Sequence, residues 1–182
     1  QDSSSAASDV YKRQVVDGAV SNITDSNNAN DSVQEDAAIG SSAGITATAT
    51  DADRDVTIRS FELTDDAGGR FAINPLTGAV TVAGGLDHET AQSHTITVKA
   101  TSTDGDTKTQ NFTINVTNVN DNLPVLLDNN ANANTVAENA AAGAAVGVTA
   151  LATDADRNVT ISSYALTAGG DKFEINGTSG VV

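Results

Sequence analysis

The sequence predicts an all-β chain built from tandem antiparallel β-sandwich domains. Three observations predict this: a long self-match, an apolar period of two, and Gly/Asp turn signals between short strand-like pieces. The self-match comes first, because it sets the domain size. Ala49-Thr50-Asp51-Ala52-Asp53-Arg54 recurs as Ala152-Thr153-Asp154-Ala155-Asp156-Arg157, so Asp51 returns as Asp154 at an offset of 103 residues. The same offset pairs Asp25 with Asp128, Val33 with Val136, Glu35 with Glu138, Gly40 with Gly143, Ile45 with Val148, Phe61 with Tyr164 and Leu63 with Leu166. One deletion later, Phe71-Ala72-Ile73-Asn74 matches Phe173-Glu174-Ile175-Asn176, and Gly78 matches Gly180. A repeat of this length exceeds a solenoid unit and equals an autonomous domain.

Within the repeat the side chains alternate. Ile45, Ala47 and Ala49 are interleaved with Thr46, Thr48 and Thr50; Ile96, Val98 and Ala100 with Thr95, Thr97 and Lys99; Phe112, Ile114 and Val116 with Asn111, Thr113, Asn115 and Thr117. Successive strand residues point to opposite faces, so each run buries one face only. Shorter apolar pieces lie at Val56–Leu63, Phe71–Ile73 and Ala79–Val82. Asp65-Asp66, Gly68-Gly69, Thr77-Gly78, Gly84-Gly85 and Asp104-Gly105 punctuate them as turns. The run Ala140–Ala145 has helical composition, but its counterpart Ala37–Gly44 holds Ser and Gly, so both read as loop.

Composition narrows the partners. The 182 residues carry 24 acids against 9 Lys and Arg, a formal net charge of -15. Nucleic acid and anionic membrane surfaces repel such a chain. There is no Cys, Met or Trp, and no window apolar enough to enter a membrane directly. The core must therefore be aliphatic and the domain unstapled by disulfides. Asp9-Val10-Tyr11-Lys12-Arg13-Gln14 resembles a translated transposon end, and residues 1–21 read as a disordered or artefactual N-terminus. Residues 22–122 then form the first repeat and 123–182 an incomplete second one.

The acids cluster. An Asp-x-Asp in an extended segment aims two carboxylates the same way, and two carboxylates side by side repel unless a cation joins them. Asp51/Asp53 and Asp154/Asp156 have this spacing; Asp87/Glu89 repeat it. Asn120-Asp121-Asn122 follows, just before Leu123-Pro124. Ca²⁺ takes six to eight such oxygens. Asp-x-Asp alone is also common in solvated loops. A catalytic set is not visible: there are two His, no Cys, and no Gly-rich phosphate loop. The expectation is a non-enzyme.

Together and in order, these groups resemble the cadherin repeat: Glu35, Asp51-Ala52-Asp53, the Phe71–Gly78 motif, Leu86-Asp87-His88-Glu89, and the Asn120-Asp121-Asn122 linker before Pro124. The resemblance covers about residues 23–182, and the Gly/Thr-rich composition is closest to bacterial repeats of large surface adhesins. It implies a Greek-key sandwich and Ca²⁺, two to three ions held at the inter-repeat linker. It also implies the ligands: Glu35, Asp87 and Glu89, then Val119, Asn120, Asp121 and Asn122, then Asp154 and Asp156. Val119 and Asn122 would act through their backbone carbonyls. Asp51, Asp53 and Glu138 become half-sites whose partners are not in this sequence; Ser102 departs from the family's acid, with Asp104 its nearest substitute. The implied role is an extracellular, cell-surface module for adhesion or a calcium-stiffened stalk. Its implied partners are neighbouring repeats of the same chain, and a surface protein or glycan on another cell. The other reading is a spacer in an exported polysaccharide-degrading enzyme.

Overall fold

The computed structural model describes residues 18–53, 55–156 and 159–182. Among the described residues it is all-β, with ten strands and no helix. The segment Asp9–Gln14 lies outside the described residues. Gly18–Ser21 are described, and Val20 is buried and bridges Asp51. The chain divides into two compact units. Among the described residues, the first comprises residues 18–33, 37–86 and 93–116; the second residues 34–36, 87–92 and 117–182.

The first unit is a sandwich of two four-stranded sheets. One sheet runs β1 (Thr24–Asp25), β3 (Ser42–Thr48), β6 (Ala79–Val82), β5 (Phe71–Ile73). The other runs β2 (Ser32–Gln34), β8 (Thr107–Thr117), β7 (Ser93–Ser102), β4 (Ile58–Asp65). The pairs β1–β3, β3–β6, β5–β6, β4–β7 and β7–β8 are antiparallel. The alternation read from the sequence holds where it is longest: Ile96, Val98, Ala100 and Ile114 are fully buried and Val116 nearly so. Ile45 and Ala47 are buried opposite them, while Ala49 and Phe112 pack at the margin of the core. Burying each Ile or Val contributes about 1.5–3 kcal/mol. Ala43, Ala47 and Ala100 keep the layers close without an aromatic core.

Two elements begin where local chemistry moves them. β4 starts at Ile58, after a turn in which Val56 N–H donates to the Asp53 carbonyl and Asp55 sits at φ 77°. β3 starts at Ser42, so the loop read over Ala37–Gly44 is strand in its last three residues. A register irregularity between Ser42 and Thr46 accommodates Gly44, whose φ is +84°. A Cβ there would lie 2.1 Å from the Asn30 carbonyl oxygen.

The second unit holds β9 (Val125–Asp128) and β10 (Ala150–Thr153), an antiparallel pair. Their register repeats that of β1–β3 residue for residue: Asp25 faces Ala47 and Asp128 faces Ala150. The tie is the same as well. Asp25 Oδ1 accepts the amides of Asn27 and Thr46, and Asp128 Oδ1 those of Asn130 and Thr149. An internal carboxylate capping two amides explains why this Asp recurs in both copies. Ala140–Ala145 is loop, with turn bonds from Ala140 to Ala137 and from Ala144 to Ala141.

Candidate metal centre

Three separate stretches of chain meet in the second unit: Gln34–Asp36 from the end of β2, the turn Asp87–Gln92 before β7, and Thr117–Asn122 from the end of β8. Glu35 ties them. It is 7% exposed, and its two oxygens accept the backbone amides of His88 and Val119, each at 2.6 Å. A buried carboxylate needs such donors. With its amide-facing edge so engaged, Glu35 lies with Asp87 and Glu89 in a group whose ligand oxygens are all within 4.8 Å of one another.

Glu89 belongs to a second such group, with Asp121 and Asp156. Asp156 is 3% exposed; its Oδ2 accepts the Asn122 amide at 2.9 Å and its Oδ1 the Asn122 side-chain amide at 3.1 Å. Asp154 stands behind it, with Oδ1 accepting the Asp156 N–H at 2.9 Å. Asn122 also reaches Asp121 Oδ1 at 3.0 Å and Glu89 Oε2 at 3.4 Å. One asparagine amide thus divides its protons among three acids.

Of the residues picked from sequence, Glu35, Asp87, Glu89, Asp121 and Asp156 enter the two groups by their carboxylates. Val119 and Asn122 are present by their amides, which hold Glu35 and Asp156. Asp154 positions Asp156 and joins neither group. Asn120 is exposed. One residue not picked is Asn118, whose Oδ1 is buried without a hydrogen-bond partner. Only its place at the head of the linker could have flagged it.

The charges strain against each other. Burial raises the pKa of Asp121, and the neighbouring Glu35, Asp156 and Asp87 raise it further. Burial likewise raises Glu89, helped by Glu35 and Asp156. Asp87 goes the other way, lowered first by the Thr90 hydroxyl and then by the Thr90 amide. For Asp156 burial acts upward, but the hydrogen bonds from Asn122 outweigh it and the net direction is down.

The donor set fits a hard cation. It is oxygen only, and no His or Cys belongs to either group. Two oxygens on opposite sides of an ion, each at the Ca–O distance of about 2.4 Å, stand about 4.8 Å apart. Glu89 Oε1 is buried within the cluster and has no hydrogen-bond partner. An uncompensated buried carboxylate oxygen is costly, and a cation is what such an atom lacks.

A third group forms in the first unit from Asp51, Asp53 and Asp104. Ser102, 1% exposed, donates its hydroxyl to Asp104 and so lowers the Asp104 pKa. Gly18 N–H donates to Asp53 Oδ2 at 2.9 Å. Glu138 is exposed and belongs to no group. His94 packs edge-on against Phe71, with ring centroids 6.0 Å apart, and burial lowers its pKa.

These features define a class: a two-sheet, all-β module with paired acidic groups on its connecting segments. Residues 30–117 match the cadherin domain, so this part of the chain is a cadherin-type repeat. Human protocadherin Fat 4 is 39% identical over 118 residues, 63% of this chain and 2% of that protein. Mouse cadherin-23 EC22-24 superposes with a TM-score of 0.64 at 27% identity, covering 91% of this chain and 52% of the other. Drosophila N-cadherin EC1-4 gives 0.53 at 29% identity, over 69% and 31% respectively. The chain thus spans a small part of its curated relatives. No helix among the described residues is long and apolar enough to cross a membrane.

Proposed function

We propose that Glu35, Asp87, Glu89, Asp121 and Asp156 hold Ca²⁺, two ions sharing Glu89, and that the chain is a calcium-stiffened module of an extracellular, cell-surface adhesion protein. The backbone carbonyls of Val119 and Asn122, with Asn120 and Asp154, complete the oxygen shell. A third ion would need ligands beyond these. The observation that carries the reading is Glu89, which belongs to both carboxylate groups while its Oε1 is buried and unpartnered. Adhesion rests on the cadherin relationship, and the partners are neighbouring repeats of the same chain together with a protein or glycan on another cell.

The physics is linkage. An ion that binds only the assembled carboxylates stabilises that assembly by mass action, by about 2.7 kcal/mol when calcium exceeds its Kd a hundredfold. Adding calcium to the chain in chelator is therefore expected to raise the melting temperature and narrow the distribution of molecular dimensions in small-angle scattering. Identical melts and profiles with calcium and with chelator would refute the reading.

Protons compete for the same oxygens. The folded pKa values of Glu89 and Asp121 lie above their unfolded ones, so the metal-free fold takes up protons more readily than the unfolded chain. In chelator, their contribution to stability increases as pH falls through the raised values and is complete below the ordinary carboxylate pKa of about 4. Asp87 and Asp156 have lowered values, and lose their contribution as pH falls further. With calcium the sign of the first effect reverses: affinity falls with pH, and binding releases protons. Calorimetry in two buffers of different ionisation enthalpy at about pH 5 measures that release; heats independent of the buffer would contradict it.

A further inference from the structure

The turn that joins β5 to β6 occurs in both copies of the repeat, with one chemical difference. In the first copy it reads Asn74-Pro75-Leu76-Thr77-Gly78, in the second Asn176-Gly177-Thr178-Ser179-Gly180. The framework is the same. Asn74 Oδ1 accepts the amides of Leu76 and Thr77 at 2.9 and 3.1 Å; Asn176 Oδ1 accepts those of Thr178 and Ser179 at 3.0 and 2.9 Å. Asn74 N–H donates to Ala79 O and Gly78 N–H to Asn74 O; Asn176 N–H donates to Val181 O and Gly180 N–H to Asn176 O. Both asparagines are exposed, the first within a complete sandwich.

The position after the asparagine sets the two apart. Proline has no N–H. Gly177 has one, and among the described residues no acceptor holds it. A bond from that nitrogen to the Asn176 side-chain carbonyl carbon closes a cyclic imide, and Gly177 has no side chain to obstruct it. The nucleophile is held beside its target by the chain itself. As the bond forms, negative charge develops on Oδ1, where the Thr178 and Ser179 amides already point. Preorganised donors at a developing oxyanion accelerate such acyl chemistry. The cap on Asn176 therefore doubles as an oxyanion hole for its own displacement. No other Asn-Gly pair occurs in the sequence. Asp104-Gly105 offers the same nitrogen, but an ionised carboxylate resists attack, and the Ser102 hydroxyl favours the ionised form of Asp104.

We propose that Asn176 is a site of spontaneous deamidation, a modification that the first copy cannot undergo by this route. The Gly177 nitrogen bonds to Asn176 Cγ and gives up its proton to solvent. The Cγ–Nδ2 bond breaks, and the amide nitrogen leaves with a proton from solvent as ammonia. Water then opens the imide at either carbonyl, leaving an aspartate or an isoaspartate linkage. The proposal is independent of calcium and of adhesion. An isoaspartate carries an additional methylene in the main chain, which cannot keep both 2.8 Å bonds that frame the turn. Gly180 depends on that frame: its carbonyl accepts the Ala150 amide at 2.8 Å, and a Cβ on it would lie 2.2 Å from Ala150 O. Conversion to isoaspartate thus releases the turn from β10.

The test holds the full chain at neutral pH in heavy-oxygen water and maps its peptides by mass spectrometry. Residue 176 should take up the heavy oxygen at least about tenfold faster than any other asparagine, and should become a substrate for an isoaspartyl methyltransferase. Gly177→Pro should abolish the conversion, and Pro75→Gly should create it at residue 74. Both exchanges suit the fold, since Tyr164 N–H donates to Gly177 O at 2.8 Å as Phe61 N–H does to Pro75 O at 2.9 Å. The folded chain should convert at least as fast as the chain in urea, and amide exchange at Ala150 should quicken in the isoaspartate fraction. An unmodified residue 176, conversion that persists in Gly177→Pro, or an intact residue 74 in Pro75→Gly would each overturn the proposal. Conversion about tenfold slower in the folded chain than in urea would show that the two amides protect Asn176, and would overturn it as well. Unchanged exchange at Ala150 would refute release of the turn.

Discussion

Asp121→Ala should abolish most of the calcium-induced rise in melting temperature while leaving the metal-free melt unchanged or slightly raised. The two halves of that expectation have different causes. Asp121 shares a group with Glu89 and Asp156, and its removal leaves two carboxylates where three converged. Calcium affinity depends steeply on ligand charge. In the metal-free chain, however, Asp121 is held against the charges of Glu35, Asp156 and Asp87, and burial disfavours its ionised form. Removing it relieves repulsion. Paired melts of wild type and variant, in chelator and in calcium, read both effects. A variant that keeps the full calcium response would remove Asp121 from the site. Asp154→Ala is the informative comparison: it belongs to neither group but tethers the Asp156 backbone, so a smaller, partial loss is expected.

Gly78→Ala should destabilise the first unit by more than about 2 kcal/mol, enough to shift its melting by many degrees. Gly78 has φ +71°, where a Cβ is disfavoured in any surroundings. The surroundings make it worse. The added Cβ would sit 2.1 Å from the Ala47 carbonyl oxygen, a backbone atom fixed in β3 with no side chain able to swing aside. The Gly78 carbonyl meanwhile accepts the Ala47 amide at 2.9 Å, so moving away would break the bond that joins β3 to the turn before β6. Gly180 reproduces the slot, with its Cβ 2.2 Å from Ala150 O. Chemical denaturation of the Gly78 and Gly180 variants separates the two units; an unchanged first transition for Gly78→Ala would refute the steric account.

The sequence reading reached different depths in different places. β7 and β8 were legible because both are long, and one-sided burial forces alternation; Ile96, Val98 and Ile114 could not be read otherwise. The carboxylate groups were legible as a set only through likeness to the cadherin repeat, since Asp-x-Asp spacing by itself does not say which pairs meet. What stayed hidden depended on contacts between distant stretches. No local pattern marks Glu35 as the acceptor of the His88 and Val119 amides, or Asn118 as carrying a buried, unpartnered oxygen. Asp104, read from the resemblance as the nearest substitute for the acid absent at Ser102, does group with Asp51 and Asp53. Val136 and Phe173 carry the pattern of core residues and are exposed, because a period of two identifies a face but not what covers it.

Glu35 accepts amides 53 and 84 residues further along the chain. Topologically, one carboxylate closes two nested loops, the task that a cystine performs in many small exported domains. A chain with no cysteine has here a crosslink that forms without an oxidant, survives reducing conditions and reseals each time the segments meet again.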